Sequence, residues 1–320
     1  MKRQAARWWA ELPPAAGSAV MATGILSVGL ELVHRHVLSL AAFALAALVW
    51  VLLAADFVRR LLFDRSRWTA EADTPPALTG VAATTVLGAR LVAFGRLTAA
   101  EALLALAAAL WPFLLVPVVR RLHTRMPGAV FLVCVATQGL AVLAGSLARA
   151  GEAEWLDPAA LALFCLGLVL YLFALAHFDL RQVVIGAGDQ WVAGGALAIS
   201  ALAASKLAAS PQWTGDFHQA LRITTLVLLF LDLAWCTVLL AAELLRPRMH
   251  YDIRRWSTVF PLGMTATASL STSTATHVAW LTTLGRVVLW IAVGAWLLTA
   301  VTFAATVLNA RRPDPDRSAP

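Results

Sequence analysis

The chain is built from ten runs of apolar residues that follow one another with little between them, at about 13–33, 37–62, 76–95, 99–119, 127–148, 157–178, 190–209, 220–245, 256–276 and 279–309. An α-helix rises 1.5 Å per residue, so about 20 apolar residues cross a hydrocarbon core about 30 Å thick. Each run meets that length. Composition agrees: 60% of the 320 residues are hydrophobic and only 13% are charged, about half the charged share of a soluble domain. So few charges cannot cover a water-exposed surface of this size. The expectation is an all-α membrane protein of ten transmembrane helices. The chain divides into an N-terminal segment 1–12, a transmembrane domain 13–309 and a tail 310–320, RRPDPDRSAP, that reads as disordered. Pro13 and Pro14 open the first run and no small-residue cleavage site follows it, so it reads as a span and not as a removed signal.

Basic residues orient the spans. With the N-terminus inside, the inner segments hold 18 of the 25 Lys and Arg, in clusters such as Arg59, Arg60, Arg65 and Arg67, or Arg120, Arg121 and Arg125. The alternation survives nine loops, which places both termini in the cytoplasm of a cell whose plasma membrane the chain spans. The net charge of +7 is then mainly topology. It does not point to nucleic acid, because no soluble basic domain is left to bind it. Trp68, Trp155, Trp213 and Trp280 fall near span ends, as interfacial anchors do. Cys134, Cys165 and Cys236 lie in separate runs without metal spacing. His34, His36 and His277 lack cysteine or carboxylate partners in their loops, so no metal or cofactor is expected.

The odd and even runs differ in kind. The odd runs hold 32 Gly, Ser and Thr against 15 Leu, and the even runs hold 12 against 37. Leucine suits lipid, whereas small and hydroxylated residues suit close helix packing or a wet interior. The simplest arrangement is five helical hairpins, with odd helices as an inner ring around a central pore and even helices as an outer ring. The alternative is ordinary small-residue packing with no pore.

The ninth run, WSTVFPLGMTATASLSTSTAT, is the most unusual. Pro261 removes a backbone donor and Gly263 loosens the helix beside it, so a break is expected there. A broken helix persists in lipid only where it faces protein or a cavity. Thr265 and the hydroxyls after it can line a pore or bond back to their own helix carbonyls. Gly24 in the first run, Gly195 in the seventh and Gln138 in the fifth are further lining candidates.

Charges within spans are functional suspects. Arg90 and Lys206 stand at similar depth in two odd runs, where they attract anions or snorkel to the outer interface. Asp232, near the middle of the eighth run, requires a partner or a proton, so it is either a structural contact or a coupling site. Catalytic patterns are absent: there is no HExxH, GxSxG or P-loop, and Gly186 and Gly188 belong to a short loop without the strand a nucleotide site needs. An enzyme is not expected. A small anionic solute and the lipid bilayer are the expected partners.

VMATGILS in the first run, WVAGGALAISALAASKL in the seventh and WSTVFPLGM in the ninth resemble the tellurite-resistance/dicarboxylate transporter family, which includes malate and sulfite permeases and slow anion channels. The resemblance implies ten helices as five hairpins around a central pore, usually in a homotrimer. It also implies that a phenylalanine of the ninth helix plugs the pore, and Phe260 occupies that place in WSTVFPLG. An aromatic ring beside a proline blocks a narrow passage and clears it by a rotamer change. The implied solutes are four-carbon dicarboxylates such as malate, tellurite, sulfite or inorganic anions. The inner loop RPRMHYDIRRW is basic and no long regulatory region accompanies it, so kinase control as in the plant branch is not implied.

Overall fold

The structure is a computed structural model that describes residues 14–151, 153–246 and 252–310. The expected N-terminal segment 1–12 and residues 311–320 of the tail lie outside them. Ten long helices follow in order: α1 Gly17–Leu32, α2 His36–Phe63, α3 Thr79–Ala93, α4 Leu97–Arg120, α5 Leu132–Arg149, α6 Leu156–His177, α7 Val192–Ala208, α8 Gly215–Leu245, α9 Trp256–Thr276 and α10 Trp280–Ala310. Two short helices, Arg65–Ala72 and Gln182–Ile185, lie in connections, and a 3₁₀ turn leads into each of the five odd helices. Among the described residues there is no β-strand, only an isolated bridge between Met126 and Phe178.

Eight of these helices, with α3, α5 and α7 taken together with the 3₁₀ turns that lead into them, are long and apolar enough to cross a membrane, which makes this a multi-pass membrane protein. The two that fall short do so for different reasons. Helix α1 has only 16 residues. Helix α9 has 21, but 11 of them are Gly, Ser or Thr, which lowers its hydropathy. A helix walled in by other helices does not have to satisfy lipid with its side chains.

Packing separates odd from even. In the most apolar stretch of α5 and of α7, 94% of residues are buried, and 61% in α3; in the even helices the share runs from 11% in α2 to 33% in α6. Each odd helix packs along the even helix that follows it, across connections as short as Val33–Arg35 and Phe94–Arg96. Short connections leave consecutive helices antiparallel neighbours. The odd helices also contact one another in a closed cycle: α1 with α3, α3 with α5, α5 with α7, α7 with α9, and α9 with α1.

Glycine makes that cycle close. A Cβ on Gly24 would stand 2.8 Å from Val86 of α3, and one on Gly88 2.6 Å from Leu143 of α5. On Gly195 it would stand 2.9 Å from Pro261 of α9, and on Gly263 2.8 Å from Ile25 of α1. Gly145 meets the Lys206 side chain at an ordinary 3.4 Å on the fifth seam. Gly24, Gly195 and Gly263 are therefore helix-contact residues, and none of them lines the cavity described below.

Outer helices are clasped to inner ones through threonine. Trp50 of α2 donates from Nε1 to Thr84 of α3, Trp111 of α4 to Thr137 of α5, and Trp296 of α10 to Thr23 of α1, each at 2.9 Å. Each threonine donates its own proton to the carbonyl four residues earlier. One hydroxyl thus satisfies a half-buried indole and keeps no free donor. The break expected at Pro261 is not found: α9 runs unbroken from Trp256 to Thr276. Pro261 sits in the second turn, where the lost bond is the single one to the Ser257 carbonyl, and its ring fills the gap that Gly195 leaves.

Gly195→Val should separate α7 from α9 and cost about 1–3 kcal/mol by overpacking. Gly80→Ala should be neutral, because a Cβ there meets nothing within 4 Å. Thermal unfolding in detergent distinguishes the two: only the first should melt early.

Candidate functional site

A cavity of about 110 Å³ lies inside the cycle of odd helices, and residues of all five line it. They come from the later turns of α1, α3, α5 and α7 and from the middle of α9. On the orientation set by Lys and Arg this is the outer half. Two cations and one carboxylate stand in the wall: Arg90 of α3, Lys206 of α7 and Glu31 of α1.

Arg90 is 1% exposed and held on several sides. Its Nη2 donates to Glu31 Oε2 at 2.7 Å and its Nε to Ser27 Oγ at 3.2 Å. The guanidinium carbon lies 3.8 Å over the Phe94 ring, a cation–π contact. Nη1 has no hydrogen-bond partner. Ser27 and Ser39 donate reciprocally to each other's carbonyl at 2.7 Å, fixing α1 to α2 beneath the arginine. His36 bonds the other oxygen of Glu31 at 3.0 Å. Lys206 has no ion pair among the described residues.

The hydroxyls of the wall contribute differently from the expectation. Thr85 donates to the Ala82 carbonyl, Ser146 to Val142 and Thr267 to Gly263. Turned that way they present oxygen lone pairs to the cavity, which repel an anion. Positive charge in the wall therefore comes from Arg90 and Lys206, and a hydroxyl helps only by rotating off its carbonyl.

Phe260 is fully buried, four residues before Met264, which lines the cavity. Residues four apart share a helix face, so Phe260 stands one turn toward the inner side on the face that carries Met264. Pro261 follows it at the α7 seam.

Other expected residues lie elsewhere. Gln138 points away from the cavity: its Nε2 donates to the Phe164 carbonyl of α6 at 3.1 Å, and the absence of a side chain at Gly167 gives it room. The cavity face of α5 is instead Gly139, Val142 and Ser146. Thr265 also faces outward, 3.4 Å from Cys236 Sγ on α8. It stands toward α8 as Thr23, Thr84 and Thr137 stand toward their tryptophans. Asp232 is completely buried between α8, α7 and α9, with Cys236 at 3.6 Å from Oδ1. No Lys or Arg pairs with it among the described residues, and Oδ2 has no hydrogen-bond partner. It does not line the cavity.

The basic inner side is partly neutralised. Arg255 pairs with Glu243 at 2.9 Å, and Arg254 pairs with Asp252 at 2.8 Å. The hydrogen bonds from Arg254 hold the Asp252 carboxyl below the usual carboxylate range. These arginines are held in ion pairs and do not gather into a free anion site.

Glu31 was missed from sequence. It lies within the first run, so the rule that flagged Arg90 applies equally to it. Its pairing with a residue 59 positions away has no local signature.

In a background with Cys134, Cys165 and Cys236 replaced, Lys206→Cys should react with a small hydrophilic thiol reagent added outside. It should do so roughly tenfold faster than Gln138→Cys or Thr265→Cys, since thiol reactivity follows access. Mass spectrometry of the labelled protein measures the ratio, and equal rates at all three positions would refute this placement of the cavity.

Among curated proteins none matches the chain significantly. Residues 11–304 match the voltage-dependent anion channel family, whose members are membrane anion channels and transporters. That span takes in every long helix but the end of α10, and it agrees with the likeness of the first, seventh and ninth runs to slow anion channels and their transporter relatives; the chain belongs to this family.

Proposed function

We propose that the chain crosses the plasma membrane ten times as five hairpins, both termini cytoplasmic, and moves small anions along a passage inside the odd helices. The observation that carries this reading is the cavity itself. All five odd helices build it, and its wall holds two cations, Arg90 and Lys206, against one carboxylate. Buried charges of this kind are costly and are kept where they meet an ion pathway. The even helices present leucine to lipid. Solutes in keeping with a net positive, narrow wall are inorganic anions and, in their singly charged forms, sulfite, tellurite or a four-carbon dicarboxylate such as malate. A homotrimer is the assembly we assign, by likeness to the family.

Phe260 is the proposed plug. It is fully buried one helical turn before Met264, a residue of α9 that lines the cavity, which supports a ring closing the passage at that level. Phe260→Ala in proteoliposomes should raise chloride efflux by about tenfold or more, as removal of an apolar constriction does. An unchanged efflux rate with normally folded protein would refute the plug.

A second reading, proton-coupled uptake of a dicarboxylate or sulfite, is favoured by one observation: Asp232 is wholly buried without a cation. A proton carrier has to alternate its charge, and a carboxyl with no counter-ion is suited to that. Its position outside the cavity wall weighs against it. Malate uptake under an imposed pH gradient separates the readings. The passive pathway should be indifferent to the gradient and to Asp232→Asn, and a carrier should lose its gradient dependence on that substitution.

A further inference from the structure

We propose that Glu31 sets the valence of the anion that the outer cavity accepts. The inference rests on the anion-pathway reading above and deepens it. Two cations line the cavity, but they are not equivalent. Arg90 arrives already paired, with Glu31 at 2.7 Å on Nη2 and Ser27 on Nε. Only Nη1 is unpartnered, and it belongs to a side chain 1% exposed in the cavity wall. Lys206, across the cavity, carries no ion pair among the described residues. The three charges in the wall sum to one positive charge.

A wall of that charge neutralises a monoanion held in the cavity that the Lys206 and Arg90 side chains line. A dianion in the same place leaves one negative charge uncompensated, in surroundings where water is scarce and hydroxyl lone pairs face inward. Glu31 is thus the residue that keeps the site from holding two negative charges. His36 bonds its other oxygen from the exposed side and adds no contact to the cavity wall. The carboxylate therefore acts as a discriminating charge, rejecting the wrong ligand by repulsion.

Perchlorate and sulfate test this cleanly, because both are tetrahedral oxyanions of similar size that differ in charge. The readout is the ratio of sulfate to perchlorate entry into proteoliposomes, each taken on one preparation so that yield cancels. Glu31→Gln should raise the ratio about tenfold, the scale of one unit charge acting across a small, poorly solvated site. Glu31→Asp keeps the charge and should leave the ratio within about twofold of wild type. Lys206→Gln removes the free cation without touching the Arg90 pair and should lower sulfate entry more than perchlorate entry. Should Glu31→Gln not fold, Glu31→Ser removes the same charge and should raise the ratio likewise. If neither wild type nor Phe260→Ala admits either anion while correctly folded, the anion-pathway reading fails. If perchlorate enters but loss of the Glu31 charge leaves the ratio unmoved, the pathway stands and the role of Glu31 is overturned.

Discussion

Everything in this molecule depends on how closely five helices approach one another. Lipid supplies no hydrophobic force between helices, so they are held by contact and by the hydrogen bonds they can share. Four of the five seams of the odd-helix cycle have a glycine where any Cβ would collide with the neighbour, and the fifth puts Gly145 in contact with the Lys206 stem. The approach that glycine permits leaves only a cavity of about 110 Å³ on the axis. A narrow interior forces any ion there to meet the wall directly, and a single aromatic ring is wide enough to close it. The charged wall and the buried Phe260 matter because the seams are tight.

The second constraint is that a polar group inside costs free energy unless it finds a partner within the protein. The threonines of the odd helices answer it by accepting a tryptophan N–H and donating to their own helix. This arrangement occurs at three odd–even contacts. At a fourth, Thr265 meets Cys236 and the buried Asp232 instead of an indole. The hydroxyl-rich composition of the odd helices is thus consumed largely in construction. On the proposed reading, what remains to act on a solute is the small set of charges that line the cavity: Arg90, Glu31 and Lys206.

Much of this was legible in the sequence. The period and length of the apolar runs gave the helices, and the contrast between leucine-rich and small-residue runs anticipated which helices are buried. Arg90 and Lys206 were identifiable as charges at matching depth on two odd helices, and both line the cavity. The rest depended on which way a side chain turns, and a helix of small residues conceals that. Gln138 and Gly139 are adjacent, yet one bonds α6 and the other lines the cavity. Thr265 and Thr267 part in the same way. A run that is small and polar all round carries no periodic signal to say which face is inside. Glu31 was hidden for another reason: ion pairs between distant runs leave no mark on spacing, so Arg90 read as a lone cation.

The most direct test of a central anion pathway is the reversal potential of currents through the purified protein in a planar bilayer under a potassium chloride gradient. Passage between Arg90 and Lys206 requires the current to reverse near the chloride equilibrium potential. Reversal near the potassium potential would contradict a positively charged passage inside the odd helices.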